Sequence, residues 1–181
     1  RSAFFYGDVD GVQLLELSYR GADLAMLIAM PRDANLSAVE DRLSPETLER
    51  WTSALAPVSM VLALPRFRVA PPDASDLAAV LASMGMPSAF EAARADFTGI
   101  ATEPDPSRRL FIGNVFHKAF LAVDEDGTEA AAASAVEMDG TGPPEEPDLV
   151  LQVDHPFLFF IRDVHSGALL FMGRLVDPSA A

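Results

Sequence analysis

The chain has 181 residues, and half of them are hydrophobic, so it can bury one substantial core and does not have the composition of a disordered segment. Its 13 basic and 27 acidic side chains give a formal net charge of −14, which argues against a nucleic-acid surface. The absence of cysteine excludes disulfides, cysteine-ligated zinc and a thiol nucleophile, and the apolar runs are too short for a membrane span.

Three apolar or alternating runs open the chain, and short sequences rich in glycine and aspartate separate them. Such turn chemistry between strand-like runs predicts an antiparallel meander. The third run is apolar at every position, which is typical of a strand covered on both faces, and Pro31 ends it. The predicted strands are residues 3–6, 12–19 and 24–30.

Two short helices are predicted after the meander. Ser37 and Glu40 have the spacing of a capping box, and Ser44 stands as an N-cap before a proline at the first helical position. The second helix carries an apolar stripe with helical spacing, which indicates a face packed against the core. The stripe consists of Leu48, Trp51 and Leu55.

A further strand, a third helix and a closing hairpin complete the predicted elements. Residues 58–64 alternate like a strand, and Asp76 is predicted to cap a helix that ends at Gly85. Residues 157–161 are all apolar, which predicts a strand buried on both faces. Residues 163–167 are predicted to join the last two strands as a hairpin. The closing strands are residues 149–153, 157–162 and 168–176.

Residues 110–124 form the longest segment with a period of two and show no helical period. At about 3.3 Å per residue such a strand spans roughly 50 Å, well beyond an ordinary strand. The pattern predicts a long central strand that leads directly into the next segment. One of its faces carries Phe111, Val115, His117, Ala119, Leu121 and Val123.

Residues 125–142 are flanked by glycine and small in the middle. In an extended chain all the charges of residues 128–139 fall on one face, which is the pattern of a strand with one face for a core and one for water. Four consecutive alanines also suit a helix that Asp126 or Thr128 would cap. The long strand that precedes them favours the extended interpretation.

Residues 114–134 closely resemble the signature of the serpins, serine protease inhibitors that insert a loop into a β-sheet. Residues 154–163 and 170–178 resemble the C-terminal signature of the same family. The resemblance implies an α+β, multi-sheet fold of mixed and antiparallel sheets with three short helices and an exposed reactive loop at about 125–148. It also implies that residues 1–181 are the C-terminal part of a single serpin domain whose N-terminal half is absent.

The resemblance assigns the loop a role as a suicide substrate. Family spacing, counted as seventeen residues from Glu125, puts the reactive bond at Thr141–Gly142, within a window at 139–142. After cleavage, residues 127–138 are expected to insert as a strand into the main sheet and trap the acyl-enzyme.

The hinge of this loop has the small residues that insertion requires. Gly127 supplies backbone freedom, and Thr128 is expected to enter the sheet first. Within the resemblance, His117 and Asn114 support the region where the sheet opens. The full set of hinge residues is Glu125, Gly127, Thr128, Glu129, Ala130, Ala131, Ala132, Ala133 and Ser134.

The reactive loop also restricts the target protease. No lysine or arginine occurs between Lys118 and Arg162, so a trypsin-like target is not expected. The sequence favours a serine protease that accepts small residues, elastase-like or subtilisin-like. The second expected partner is the missing N-terminal half of the domain. Family resemblance favours an extracellular or periplasmic location, and the start at Arg1 is taken to mean that an upstream segment has been lost.

Catalytic and cofactor sites are not expected. No Gly-x-Ser-x-Gly elbow presents a serine, and His117 on its apolar face is interpreted as a satisfied core histidine. His155 and His165 are interpreted as surface or hinge residues rather than ligands. Residues 124–127 lack the later ligands of a calcium loop, and the glycines before Pro143 cannot open a phosphate-binding helix.

Two alternatives to inhibition stay open: a non-inhibitory serpin-like binding or structural protein, and an inactive truncated fragment. The alanine-rich hinge separates them from an inhibitor, since small residues can slide between packed strands where large ones would clash. The alanine-rich hinge favours the inhibitor over both alternatives.

Overall fold

The computed structural model describes residues 2–102, 105, 108–124 and 149–178. The predicted reactive loop at about 125–148 therefore lies outside the described residues. The chain divides into two compact units. The main unit comprises Arg1–Arg68 and Ala122–Ala181, and the small unit comprises Val69–Leu121.

The secondary structure of the described residues is α+β. The strands are β1 (Ser2–Val9), β2 (Val12–Ser18), β3 (Leu24–Pro31), β4 (Ala56–Ala63), β5 (Phe67–Val69), β6 (Ser75–Asp76), β7 (Phe116–His117), β8 (Leu121–Val123), β9 (Leu149–Gln152), β10 (Phe157–Asp163) and β11 (Leu169–Leu175). The α-helices are α1 (Leu36–Glu40), α2 (Pro45–Ser53) and α3 (Ala78–Ser83), and Pro87–Phe90 is a 3-10 helix.

A seven-stranded sheet in the order β11-β10-β3-β2-β1-β4-β9 dominates the main unit. All its pairs are antiparallel except β4 with β9. The meander and the closing hairpin are confirmed, but β1 is longer than predicted and continues to Val9. Its turn is only Asp10–Gly11, both at positive φ, which is the two-residue hairpin whose twist matches that of the flanking strands.

The sheet is buried on both faces along two adjacent strands, β3 and β10. Residues 25–30 of β3 are at most 2% exposed, and residues 157–161 of β10 at most 7%, as the apolar runs predicted. On one face the Trp51 ring of α2 meets the Phe160 ring edge-on, with centroids 6.4 Å apart. On the other face Phe67 of β5 lies 5.5 Å from Phe157 and 6.0 Å from Phe159.

The two helices of the main unit start as their capping chemistry dictates, with one correction. Ser44 accepts the amide of Thr47 and caps α2, as predicted. The prediction of Ser37 as the cap of α1 is wrong. Asn35 is the N-cap, and its side-chain oxygen accepts the amide of Ala38. Both residues favour N-caps, and the helix begins one residue before Ser37, at Leu36.

The segment 110–124 does not form the single long strand that was predicted. Only β7 and β8 are strands within it, and they pair with the short strands β6 and β5. A strand extends only as far as its ladder partner, and these two partners have two and three residues. The alternating pattern persists at the C-terminal end, where Val123 is buried.

A buried ion pair crosses the main sheet beneath α2. Arg162 on β10 donates to the Glu16 carboxylate on β2 through two nitrogens, at 2.7 and 2.9 Å, and the side chains are 14% and 8% exposed. The pair bridges over β3, which lies between the two strands. It therefore ties the closing hairpin to the N-terminal meander.

Arg162→Met is expected to lower the free energy of unfolding by about 3–5 kcal/mol, because it leaves the Glu16 carboxylate buried without its partner. The matched control is Arg174→Met on β11, whose pair with Glu40 is exposed and is expected to contribute less than about 1 kcal/mol. Denaturant unfolding of the two variants measures the difference. An equal loss of unfolding free energy in the two variants would contradict a stabilising role for the buried Arg162–Glu16 pair.

Candidate functional site

The predicted site divides at residue 124. The reactive bond Thr141–Gly142 and the hinge residues 125–134 lie outside the described residues. The structure describes the two supporting residues, Asn114 and His117, and both belong to the small unit. The geometry that follows is that of the segment leading into the loop.

Asn114 forms a hydrogen bond with the side chain of Asp76. The Asn114 amide nitrogen donates to Asp76 Oδ2 at 2.8 Å, and Asp76 Oδ1 accepts the amide of Ala78 at 3.0 Å. Asp76 therefore does accept from the first residue of α3, although the formal N-cap position is Leu77. Its carboxylate joins the start of this helix to the segment that precedes the loop.

Backbone and side-chain hydrogen bonds hold the same segment along one side. The amide of Leu77 donates to the Val115 carbonyl at 2.8 Å, and Ser75 pairs with His117 in the β6–β7 ladder. Lys118 Nζ donates to the carbonyl of Pro72 at 2.8 Å. Together with the Asn114–Asp76 bond, these contacts attach residues 114–118 to the stretch 72–78.

The interpretation of His117 as a core histidine is wrong for the described residues. Its side chain is exposed, in the two-residue strand β7. The alternating pattern put it on the apolar face of a long strand, but the ladder partner β6 is too short to maintain that strand.

Large apolar side chains on this segment are exposed. Phe111 is 50% exposed, Phe116 70% and Phe120 57%. The predicted apolar side of the third helix is not buried either, since Val80 on α3 is 51% exposed and the C-cap residue Met84 is 76% exposed. Exposed large apolar side chains in this number are expected on a surface that packs against further protein.

Two hydrogen bonds perturb the ionisation of Asp76. The backbone N–H of Ala78, and after it the Asn114 amide, hold the pKa of the Asp76 carboxyl below its usual range because both donate to the charged form. Because its pKa is lower in the folded state, the charged Asp76 carboxylate stabilises the fold at pH values above its unfolded-state pKa of about 3.9. This stabilisation is lost as the pH falls through the lower pKa of the folded state.

Asp76→Asn is accordingly expected to flatten the acid dependence of stability below about pH 4, because asparagine can still accept the Ala78 amide but does not titrate. The thermal midpoint, followed from about pH 5 to pH 2 in both proteins, measures the effect. If the thermal midpoint fell with pH equally steeply in Asp76→Asn and in wild type, the lowered pKa of Asp76 would not contribute to acid stability.

The other histidines each contact one carboxylate. His155 Nδ1 lies 2.8 Å from Asp154 Oδ1, and His165 Nε2 lies 3.1 Å from Asp23 Oδ1. Within the described ranges, no group of three or more His, Cys, Asp or Glu side chains could hold a metal ion. No helix in this part of the chain is long and apolar enough to cross a bilayer.

Comparison with known proteins places the chain in a family. The family model described as serpin (serine protease inhibitor) matches residues 1–178. Human Serpin B10 is 42% identical over 167 residues, which are 91% of this chain and 40% of that protein. An uncharacterized serpin-like protein of Thermococcus kodakarensis is 41% identical over 177 residues, covering 97% of this chain and 39% of that protein.

Solved structures agree with the sequence comparison. Human thyroxine-binding globulin complexed with thyroxine matches 98% of this chain and 45% of its own, with a TM-score of 0.79 and 29% identity. Native protease nexin-1 with heparin matches 98% of this chain and 46% of its own, with a TM-score of 0.76 and 32% identity.

The chain belongs to the serpin family. The expected α+β serpin fold is thereby confirmed. Serpins as a class are protease inhibitors and not catalytic enzymes. The chain spans less than half the length of the relatives and structures that it matches.

Proposed function

We propose that this chain is the reactive-loop portion of a serpin that inhibits a serine protease as a suicide substrate. The observation that carries the proposal is the small-residue hinge at 127–134. It follows the segment 110–124, in which hydrogen bonds attach residues 114–118 along one side and large apolar side chains are exposed. A chain that must enter a packed sheet needs small side chains and an amide donor at every position, and this hinge contains no proline.

The chemical step is acyl transfer to the protease that stops at the acyl-enzyme. The serine hydroxyl of the protease attacks the carbonyl carbon of Thr141 and forms an ester. The bond to Gly142 breaks, and the amine of Gly142 leaves with the proton that the hydroxyl gave up. Residues 127–138 then insert as a strand before water hydrolyses the ester, and the protease stays attached.

Strand insertion supplies the driving force. Each added main-chain hydrogen bond contributes about 0.5–1.5 kcal/mol net, so a ladder of about ten bonds releases on the order of 5–15 kcal/mol. This energy is held in the uncleaved loop until the protease cuts it. Because hydrolysis of an acyl-enzyme is fast, the insertion must compete with it.

The target we propose is an elastase-like or subtilisin-like protease, encountered in an extracellular or periplasmic setting. The stretch between Lys118 and Arg162 contains no basic residue for a trypsin-like specificity pocket. Small residues flank the reactive bond, since Gly140 precedes Thr141–Gly142. A protease with a shallow specificity pocket accepts such a sequence.

Inhibition is proposed to require the N-terminal half of a family-length chain. The relatives are more than twice as long as the part that matches here. The half-exposed Phe111, Phe116 and Phe120 need a covering layer, and so does edge strand β11, where Leu170, Phe171 and Met172 are at least half exposed. An inserting strand also needs a neighbour on its second edge.

The test is a covalent-complex assay on a chimera. Residues 1–181 replace the matching part of the Thermococcus kodakarensis relative, which is 41% identical, and the purified chimera is mixed with an elastase-like and a subtilisin-like protease. We expect a complex that survives denaturing electrophoresis, and mass analysis of the released peptide identifies the cleaved bond. Cleavage of the folded chimera by both proteases without any complex would refute the inhibitory function.

A second candidate function, binding of a small apolar ligand by a non-inhibitory serpin, is favoured by one cavity. This half-open cavity of about 370 Å³ lies between α2 and the closing hairpin. Leu27, Leu48 and Leu169 provide apolar walls, and Arg162 and Thr52 provide polar groups. Such a combination is typical of small-molecule sites, and one structural neighbour binds thyroxine.

Thyroxine titrated into the 181-residue chain tests this candidate by calorimetry. Binding that Leu48→Arg abolishes, with the fold retained by circular dichroism, would favour it. Absence of binding at the solubility limit of thyroxine would contradict it.

A further inference from the structure

The Asp76 carboxylate stands where two parts of the small unit meet. One of its oxygens accepts the first backbone amide of α3, and the other accepts the side-chain amide of Asn114, 38 residues further along the chain. A carboxylate that only capped a helix would not need the second contact. The second contact reaches the segment that runs into the reactive loop.

Strand β7 of this segment is attached along one edge within the described residues, and nearer the N-terminus of the segment the amide of Ile112 donates to the carbonyl of Ala89 at 2.9 Å. Its strand β7 pairs with β6 alone, and the Val115 carbonyl accepts the Leu77 amide on the same side. A strand that enters a sheet forms its ladder with the free edge of a neighbour, and that neighbour must already be extended. Contacts that hold residues 112–117 extended therefore prepare the edge that the loop needs.

We propose that Asp76 and Asn114 are positioning residues for strand insertion: their hydrogen bond holds the segment before the loop in register with the start of α3. The inference rests on the proposed inhibitory function. Neither residue touches the protease or the reactive bond; both act through the segment. Without the bond, insertion slows, hydrolysis overtakes it, and more of the protease escapes.

The first measurement is hydrogen exchange in the 181-residue chain. Asn114→Ala is expected to lower the protection of the amides of residues 112–117 about fivefold, the factor that one typical net hydrogen bond gives at 25 °C. The matched control is Thr98→Ala, which removes the hydroxyl bond from Thr98 to Asp96 elsewhere in the small unit. Unchanged protection in Asn114→Ala would overturn the proposal.

The second measurement is the ratio of cleaved to trapped inhibitor in the chimera. Asn114→Ala is expected to raise this ratio about fivefold while the rate of the first cleavage stays unchanged, since the reactive bond is untouched. A protein that was merely less stable would be cleaved at additional sites. Thr98→Ala is expected to leave the ratio at the wild-type value.

A residue swap distinguishes the bond itself from the cap. In the double variant Asp76→Asn with Asn114→Asp, the asparagine still accepts the Ala78 amide and now donates to the new carboxylate, so the ratio is expected to return to within about twofold of wild type. Failure of the swap to rescue would overturn the positioning role. If the wild-type chimera is cleaved without any trapping, the inhibitory function fails and this inference fails with it. Normal trapping by Asn114→Ala overturns the inference alone.

Discussion

Thr128→Arg is expected to convert the inhibitor into a substrate, with the fraction of trapped protease in the chimera falling at least about tenfold. In the alternating pattern, Thr128 lies on the face of the inserted strand that meets the core. A guanidinium there must lose its water without gaining a partner, at a cost of several kcal/mol. Denaturing electrophoresis of the protease mixture measures the ratio of complex to cleaved product.

The matched control places the same residue on the opposite face. Glu129 is the next residue and faces water in the inserted strand, so Glu129→Arg is expected to retain trapping within about twofold. Equal trapping by Thr128→Arg and wild type would contradict insertion of this segment. Equal loss in both variants would show that charge anywhere in the hinge, rather than its face, is responsible.

Gly173→Ala is expected to destabilise the main unit by about 1–3 kcal/mol, the usual cost of overpacking a core. The Phe159 ring lies directly over Gly173 on the neighbouring strand, so a Cβ at this position would overlap Cζ and come within 2.9 Å of Cε1. Phe159 is 3% exposed and packs against Phe67, which leaves its ring little room to move. Denaturant unfolding monitored by circular dichroism measures the loss.

The control and the rescue follow from the same geometry. Gly99→Ala is expected to change stability by less than about 0.5 kcal/mol, because among the described residues no heavy atom lies within 4 Å of its Cβ position. Phe159→Leu in the Gly173→Ala background is expected to recover part of the loss by removing the overlapping ring edge. A Gly173→Ala protein as stable as wild type would contradict the packing.

The strands of the main unit could be predicted because their patterns are local. The continuous apolar runs of β3 and β10 identified strands buried on both faces, and the turn residues identified the meander and the closing hairpin. The bond between Arg162 and Glu16 could not be predicted, since it joins residues 146 apart and depends on the order of strands in the sheet.

The small unit shows where a local pattern is insufficient. Residues 110–124 alternate as a strand should, but strand length depends on ladder partners elsewhere in the chain, and β6 and β5 are short. A supporting role for Asn114 was predicted from family resemblance, whereas its hydrogen-bond partner Asp76 was predicted only to cap a helix. No sequence signal links the two, because a hydrogen bond between distant positions leaves no local pattern.

The most direct test of the inhibitory mechanism is electrophoresis of the chimera with an elastase-like or subtilisin-like protease under denaturing conditions. A band with the mass of protease plus chimera less the released C-terminal peptide, and a peptide that begins within residues 140–142, is the result that loop cleavage and strand insertion predict. Cleavage within the same window with free protease recovered and no such band would show that the loop is exposed but does not trap, which would contradict inhibition by insertion.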